Sequence, residues 1–123
     1  MISTIDNGTV ALLSLALDAA AMRQQAIAQN IANANTPGYA RVNVSFEARL
    51  AALRDADGGV AAPSLADLSN YRPVLDYLAP GASVAVDQEL AALSENVVHH
   101  HALIKAVAKH YALISSAINE GKR

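Results

Sequence analysis

The chain has 123 residues, 53% of them hydrophobic but only 4% aromatic, a formal net charge of -2 and no cysteine. That length suits one domain rather than two independent cores, and a charge without any block of Lys or Arg offers no electrostatic footprint for a nucleic-acid backbone or an anionic membrane surface. The missing cysteine excludes a disulfide framework, a thiolate zinc site and a cysteine nucleophile, while the alanine-rich apolar content favours long, closely packed helices that gain much of their burial from partners.

The first element is a long helix from about Gly8 to Asn35, a stretch without proline. Leu13, Leu17, Ala20, Gln24, Ile27, Ile31 and Ala34 recur at alternating steps of four and three, the stripe of a helix that faces another helix. At 1.5 Å per residue it spans roughly 40 Å, longer than a small core covers. Gln24 either fixes register through a hydrogen bond or lies at the edge of the stripe. The apolar run from Val10 to Asp18 resembles the centre of a secretory signal, with Ala19, Ala20 and Ala21 as a cleavage site. No Lys or Arg precedes it, Asp6 and Asp18 are acidic, and the helical pattern continues to Ala34. A membrane span fails too, because Ser14 and Asp18 interrupt a run shorter than the roughly 20 residues required. Export, if it occurs, is expected without cleavage.

Pro37 pushes Thr36 into extended geometry, and Pro37-Gly38 suits the central positions of a type II turn, so the chain must leave the helix axis there. Val42, Val44 and Phe46 then alternate with Arg41, Asn43 and Ser45, which predicts an extended piece with one buried face as far as Val44. A short helix follows over about 45–54, with Ser45 as N-cap. From Asp55 to about Val86 come Gly58-Gly59, Pro63, Pro73 and Pro80-Gly81 with no sustained period, so a loop-dominated segment ordered by neighbours is expected, with Tyr71 and Tyr77 as anchors.

The last element carries the clearest pattern. Leu90, Leu93, Val97, His100, Ile104, Val107, Tyr111, Ile114 and Ile118 step by three and four without a break, a heptad seam. Asp87 serves as N-cap, Glu89 opposes the helix dipole favourably from the first turn, and Gly121 marks the end. The expected fold is mainly α. Residues 1–39 and 83–123 supply two long helices pairing as an antiparallel-like coiled coil, and 40–82 forms an irregular, short extended and loop-rich insertion.

Little chemistry is offered by the side chains. His99, His100 and His101 point about 100° apart on a helix and cannot converge on one ion, and Glu95 with His99 gives only two ligands, so no metal site is expected. His100 sits in the seam, where protonation below roughly pH 6 would weaken pairing. Ser94, His99 and Asp87 lack a nucleophile elbow or oxyanion loop. No catalytic residue and no cofactor are expected. Asn30 and Asn33 share a helix face, and Asn35 and Thr36 sit where a helix end leaves carbonyls unpartnered, which an ordinary C-cap and turn would also explain.

The run Asn30-Ile31-Ala32-Asn33-Ala34-Asn35-Thr36-Pro37-Gly38-Tyr39 resembles the N-terminal signature of the flagellar rod and hook family, an amphipathic helix ending in Asn-Ile-Ala-Asn-x-x-Thr-Pro-Gly-Tyr. Ser83 to Leu90 leading on to Ile118, together with the short chain and Phe46 soon after the motif, is similar to the FlgB-type, proximal branch of the basal-body rod proteins. The two stretches cover about half of the residues. The His99-His100-His101 run departs from that pattern, where a Tyr or Arg is often expected.

The resemblance implies a non-catalytic subunit, exported uncleaved through the flagellar type III apparatus and assembled helically with its own copies into a periplasmic tube. Its terminal helices would pair in the inner layer around the export channel, with Leu13, Leu17, Ile27, Leu90, Leu93, Val97, Ile104, Val107, Tyr111, Ile114 and Ile118 as the assembly seam. Expected partners are FlgC-type and further rod subunits, the membrane ring and the protein at its junction with the rod. Two other classes compete: a cytoplasmic helical adaptor or export chaperone gripping a partner helix, and a metal-dependent enzyme.

Overall fold

The computed structural model describes the backbone of residues 2–56, 68 and 70–121, and the side chains of residues 7–55, 68 and 70–121. Among the described residues the elements in chain order are α1 (Ile2–Ala32), β1 (Val42–Ser45), α2 (Glu47–Ala56), β2 (Val74–Tyr77) and α3 (Val86–Glu120). The 31 residues of α1 and 35 of α3 span roughly 45 and 50 Å at 1.5 Å per residue. They pack against each other in opposite directions. Asn96 on α3 reaches the Ala20 carbonyl, while Asn30, farther along α1, meets Glu89, which lies earlier on α3. The mainly helical, end-paired architecture expected from the two stripes is the observed one.

The helices are rotated relative to the expected rows. On α3, Leu93, His100, Val107 and Ile114 are half-buried as anticipated, but the intervening inward positions are Glu89, Asn96, Leu103 and His110. The predicted alternates are exposed instead: Leu90 51%, Val97 37%, Ile104 47%, Tyr111 54% and Ile118 56%. On α1, Ala20 and Ile27 are buried and Leu13, Leu17, Ile31 and Ala34 half-buried, whereas Gln24 is exposed and so lies at the edge. Arg23 and Asn30 take the inner positions that apolar periodicity alone would give to Gln24 and Ile31.

Two Pro-Gly turns connect the helices to a two-stranded antiparallel ribbon. Around Pro37-Gly38 the Tyr39 N–H bonds the Thr36 carbonyl at 3.3 Å with Gly38 at φ 75°, and around Pro80-Gly81 the Ala82 N–H bonds the Ala79 carbonyl at 3.3 Å with Gly81 at φ 95°. A positive φ at the third position is the type II geometry that glycine allows. Between the turns, β1 pairs with β2 from Val42 opposite Tyr77 to Ser45 opposite Val74. The hydrophobic core is small: Ala19, Ala20, Ala26, Ile27, Val42, Phe46 and Leu68 are the buried apolar residues among those described. Alanine fills the tightest part of the helix contact, so each residue removes little area from water.

Several boundaries differ from expectation. Ser45 ends β1, and α2 starts at Glu47, its first turn closed by the Leu50 N–H on the Phe46 carbonyl at 2.9 Å. Ala85, not Asp87, is the N-cap of α3; it is extended and offers no side-chain cap, so Asp87 and Glu89 act on the helix dipole from within the first turn. Gly121 ends α3 in right-handed geometry, φ -68° and ψ -13°. The segment expected to be loop contains β2, because Val74 to Tyr77 finds its pairing partner some thirty residues earlier in the chain, where local pattern cannot see it. Gly58-Gly59 and Pro63 lie outside the described residues. Tyr71 is held, its ring facing the Arg49 guanidinium carbon at 5.8 Å, while Tyr77 is paired through its backbone opposite Val42 and is 69% exposed.

Candidate functional site

The end of α1 and the strand after it are joined by one side chain. Asn30, 1% exposed, accepts the Val42 N–H on Oδ1 at 2.9 Å and donates Nδ2 to the Val42 carbonyl at 2.8 Å. A carboxamide has the same donor and acceptor as a peptide group, so it stands in for the strand that β1 lacks on that side. The Tyr39 hydroxyl adds a bond to Asn30 Oδ1 at 3.0 Å, and Asn30 Nδ2 donates to Glu89 Oε2 at 3.3 Å. Glu89 is itself 1% exposed, and Arg41 donates Nε to its other oxygen. A carboxylate so buried is tolerable because both oxygens are bonded, one by a cation. The latch thus ties α1, the turn, β1 and α3 at one point. Burial first, then the neighbouring Glu89 charge and the nearby Tyr77, push the Tyr39 phenol up from its ordinary value, favouring the neutral hydroxyl that donates to Asn30.

The other motif residues finish the helix. Asn33 donates both its backbone N–H, at 3.0 Å, and its Nδ2, at 2.9 Å, to the Gln29 carbonyl in the last turn, and accepts from the Thr36 hydroxyl at 3.3 Å. Ile31 is half-buried; Asn35, Thr36, Pro37 and Gly38 are exposed. The motif therefore divides into a buried latch, Asn30 and Tyr39, and an exposed turn.

Two further polar contacts were not foreseen. Arg23 forms a two-pronged pair with Glu47, Nη1 to Oε1 at 3.0 Å and Nη2 to Oε2 at 2.7 Å, linking α1 to the start of α2. Burial would raise the Glu47 carboxyl, but the Arg23 hydrogen bonds, its own backbone N–H and the Arg23 and His99 charges outweigh it and hold the carboxyl below its usual range. Asn96, 3% exposed, donates to the Ala20 carbonyl at 2.9 Å, and its buried Oδ1 meets no hydrogen-bond partner among the described residues. Arg23 and Asn30 are seven apart, as are Glu89 and Asn96. That shared heptad spacing of polar residues is the signal that could have found them, and a search for apolar repeats discards it.

This arrangement holds the helices, the turn and the ribbon together. No group of three or more His, Cys, Asp or Glu side chains suited to a metal ion occurs among the described residues, and no helix there is long and apolar enough to cross a membrane. His99 and His101 are exposed and His100 half-buried. On α3, Leu90, Val97, Ile104, Tyr111 and Ile118 form an exposed row at seven-residue intervals running almost the length of the helix, with Val98 and Leu113 exposed beside it.

A family model described as flagella basal body rod protein matches residues 13–39, the stretch from mid-α1 through the latch and turn. The flagellar basal body rod protein FlgB of Bacillus subtilis is 28% identical over 132 residues, covering 94% of this chain and 97% of that protein. The protein of the same name from Borreliella burgdorferi is 30% identical over 113 residues, covering 77% and 83% of the two chains, and that of Borrelia hermsii 28% identical over 120 residues, covering 83% and 89%. Similarity at this level, spread over both helices, the turn and the ribbon, makes the chain a member of the FlgB-type family of flagellar basal body rod proteins.

Proposed function

We propose that this chain is a non-catalytic subunit at the proximal end of the rod, where copies of it and of neighbouring rod proteins stack helically into the tube that transmits torque and encloses the export channel. The observation that carries this reading is the exposed heptad row of α3. A monomer gains nothing by leaving Leu90, Val97, Ile104, Tyr111 and Ile118 in water, whereas a tube of near-parallel helices covers such a row in every subunit. The inner row, Leu13, Leu17, Ile27, Leu93, Val107 and Ile114, holds the pair together; the outer row meets neighbours.

On this reading the terminal helices form one inner-layer unit from residues 1–39 and 83–123, and 40–82 faces outward. The motif from Asn30 to Tyr39 sets the angle between the two parts. The subunit reaches the periplasm uncleaved through the flagellar type III apparatus and meets FlgC-type and further rod subunits, the membrane ring and its junction protein. Complementation of a deletion strain tests this: Ile104→Asp should be exported yet absent from purified basal bodies, with motility lost, because a charge would be buried between subunits. Normal rods containing that variant would refute the outer-row assignment.

A further inference from the structure

The rest of the chain treats the two edges of the ribbon differently. On β1 the peptide groups pointing away from β2 belong to Val42 and Val44; Asn30 takes both polar groups of Val42, and Arg23 Nη2 reaches the Val44 carbonyl at 3.5 Å. That edge is closed by side chains of α1. On β2 the Leu78 N–H bonds the Arg41 carbonyl at 2.9 Å, so the alternation of an antiparallel ladder turns the peptide groups of Val74, Asp76 and Leu78 toward β1 and those of Leu75 and Tyr77 outward. No hydrogen-bond partner meets these outward groups among the described residues. All four residues of β2 are exposed, and Leu78 after them is 40% exposed. The approach to the strand is nevertheless fixed, since Arg49 donates to the Arg72 carbonyl at 3.0 Å. An exposed apolar edge on a held strand is a template for pairing.

We propose that the outer edge of β2 accepts an extended segment of another protein as a third strand, apolar opposite Leu75 and Tyr77 and basic opposite Asp76. Asp76 supplies the charge argument: it is exposed and has no ion-pair partner among the described residues. A second copy of β2 fits poorly in each antiparallel register. Centred on Asp76, the pair sets two carboxylates opposite one another; centred on Leu75, it brings Pro73, which has no N–H, against Tyr77; centred on Tyr77, it leaves Asp76 against Leu78. A Lys or Arg on a different strand removes that conflict. The inference stands on the ribbon alone and holds or fails independently of whether the chain enters a rod.

The test uses the full chain with a short synthetic peptide of alternating valine and threonine carrying one central lysine, reading amide exchange at Leu75 and Tyr77 by NMR and affinity by peptide anisotropy. The lysine peptide should protect both amides and bind about three- to tenfold more tightly than the same peptide with glutamate in place of lysine. Asp76→Lys should reverse that order, and Asp76→Asn should erase it; the position is exposed, and helical circular dichroism checks that the fold is kept. A peptide N-methylated at alternate residues should not bind. The proposal is overturned if neither amide is protected at saturating peptide, if N-methylation leaves affinity unchanged, or if both charge variants keep the wild-type preference. Protection that grows with protein concentration alone would also overturn it, because the occupant would then be a second copy.

Discussion

Asn30 does with one side chain what a neighbouring strand does with a peptide group, and its value lies in what its loss would expose. Asn30→Ala leaves the Val42 N–H and carbonyl buried and unpaired and takes a donor from Glu89, so it should destabilise the monomer by about 2–4 kcal/mol in urea unfolding. Asn35→Ala, five residues on in the same motif but exposed, should stay within about 0.5 kcal/mol. Equal effects would remove the distinction between latch and turn. Glu47 gives a pH-dependent counterpart. Its folded carboxyl lies below the ordinary range, so its contribution is present above the unfolded value of about 4.3 and disappears as pH falls through the folded one. Glu47→Gln should therefore lower stability slightly at neutral pH and converge with the parent chain in acid, which flattens the acid limb of the stability curve. The effect is small, because the side chain is 54% exposed and water screens the pair.

Among the elements, the Thr36 to Tyr39 turn carries the sharpest demand. Gly38 at φ 75° has open space around it, so Gly38→Val would strain the backbone rather than clash, costing about 1–2 kcal/mol by thermal or urea denaturation. This turn was legible from Pro37-Gly38, as were the existence and length of both long helices, since proline and heptad periodicity are local signals. The rotation of the helices was not legible, because periodicity ranks positions by apolarity while the folded chain gives Arg23, Asn30, Glu89 and Asn96 inner positions that only tertiary hydrogen bonds justify. Glu89 could be read as a first-turn acid but not as half of a buried pair, because Arg41 is 48 residues away. The strand β2 was missed for the same reason. Asn30, Thr36, Pro37, Gly38 and Tyr39 stand out in the motif, yet their division into buried and exposed parts is set by Val42 and Glu89, which lie on other elements.

At the scale of the whole molecule, the monomer is left with its polar residues inside the helix pair and a row of large apolar residues outside it. Ile104→Asp should thus barely change monomer stability, within about 0.5 kcal/mol, while abolishing incorporation into basal bodies. Loss of the folded monomer itself would show that the outer row serves the isolated chain. The inner polar row has a mechanical meaning as well. Two helices joined only by alanine and leucine can slide by a heptad at modest cost, since one apolar contact replaces another. Here a slip would carry Glu89 away from Arg41 and Asn30 and leave Asn96 without the Ala20 carbonyl, burying a charge and several polar groups unpaired. Under shear along its axis the pair is therefore pinned at one end and at its middle, so load passes through the subunit as through a keyed shaft rather than being lost to creep between its two helices.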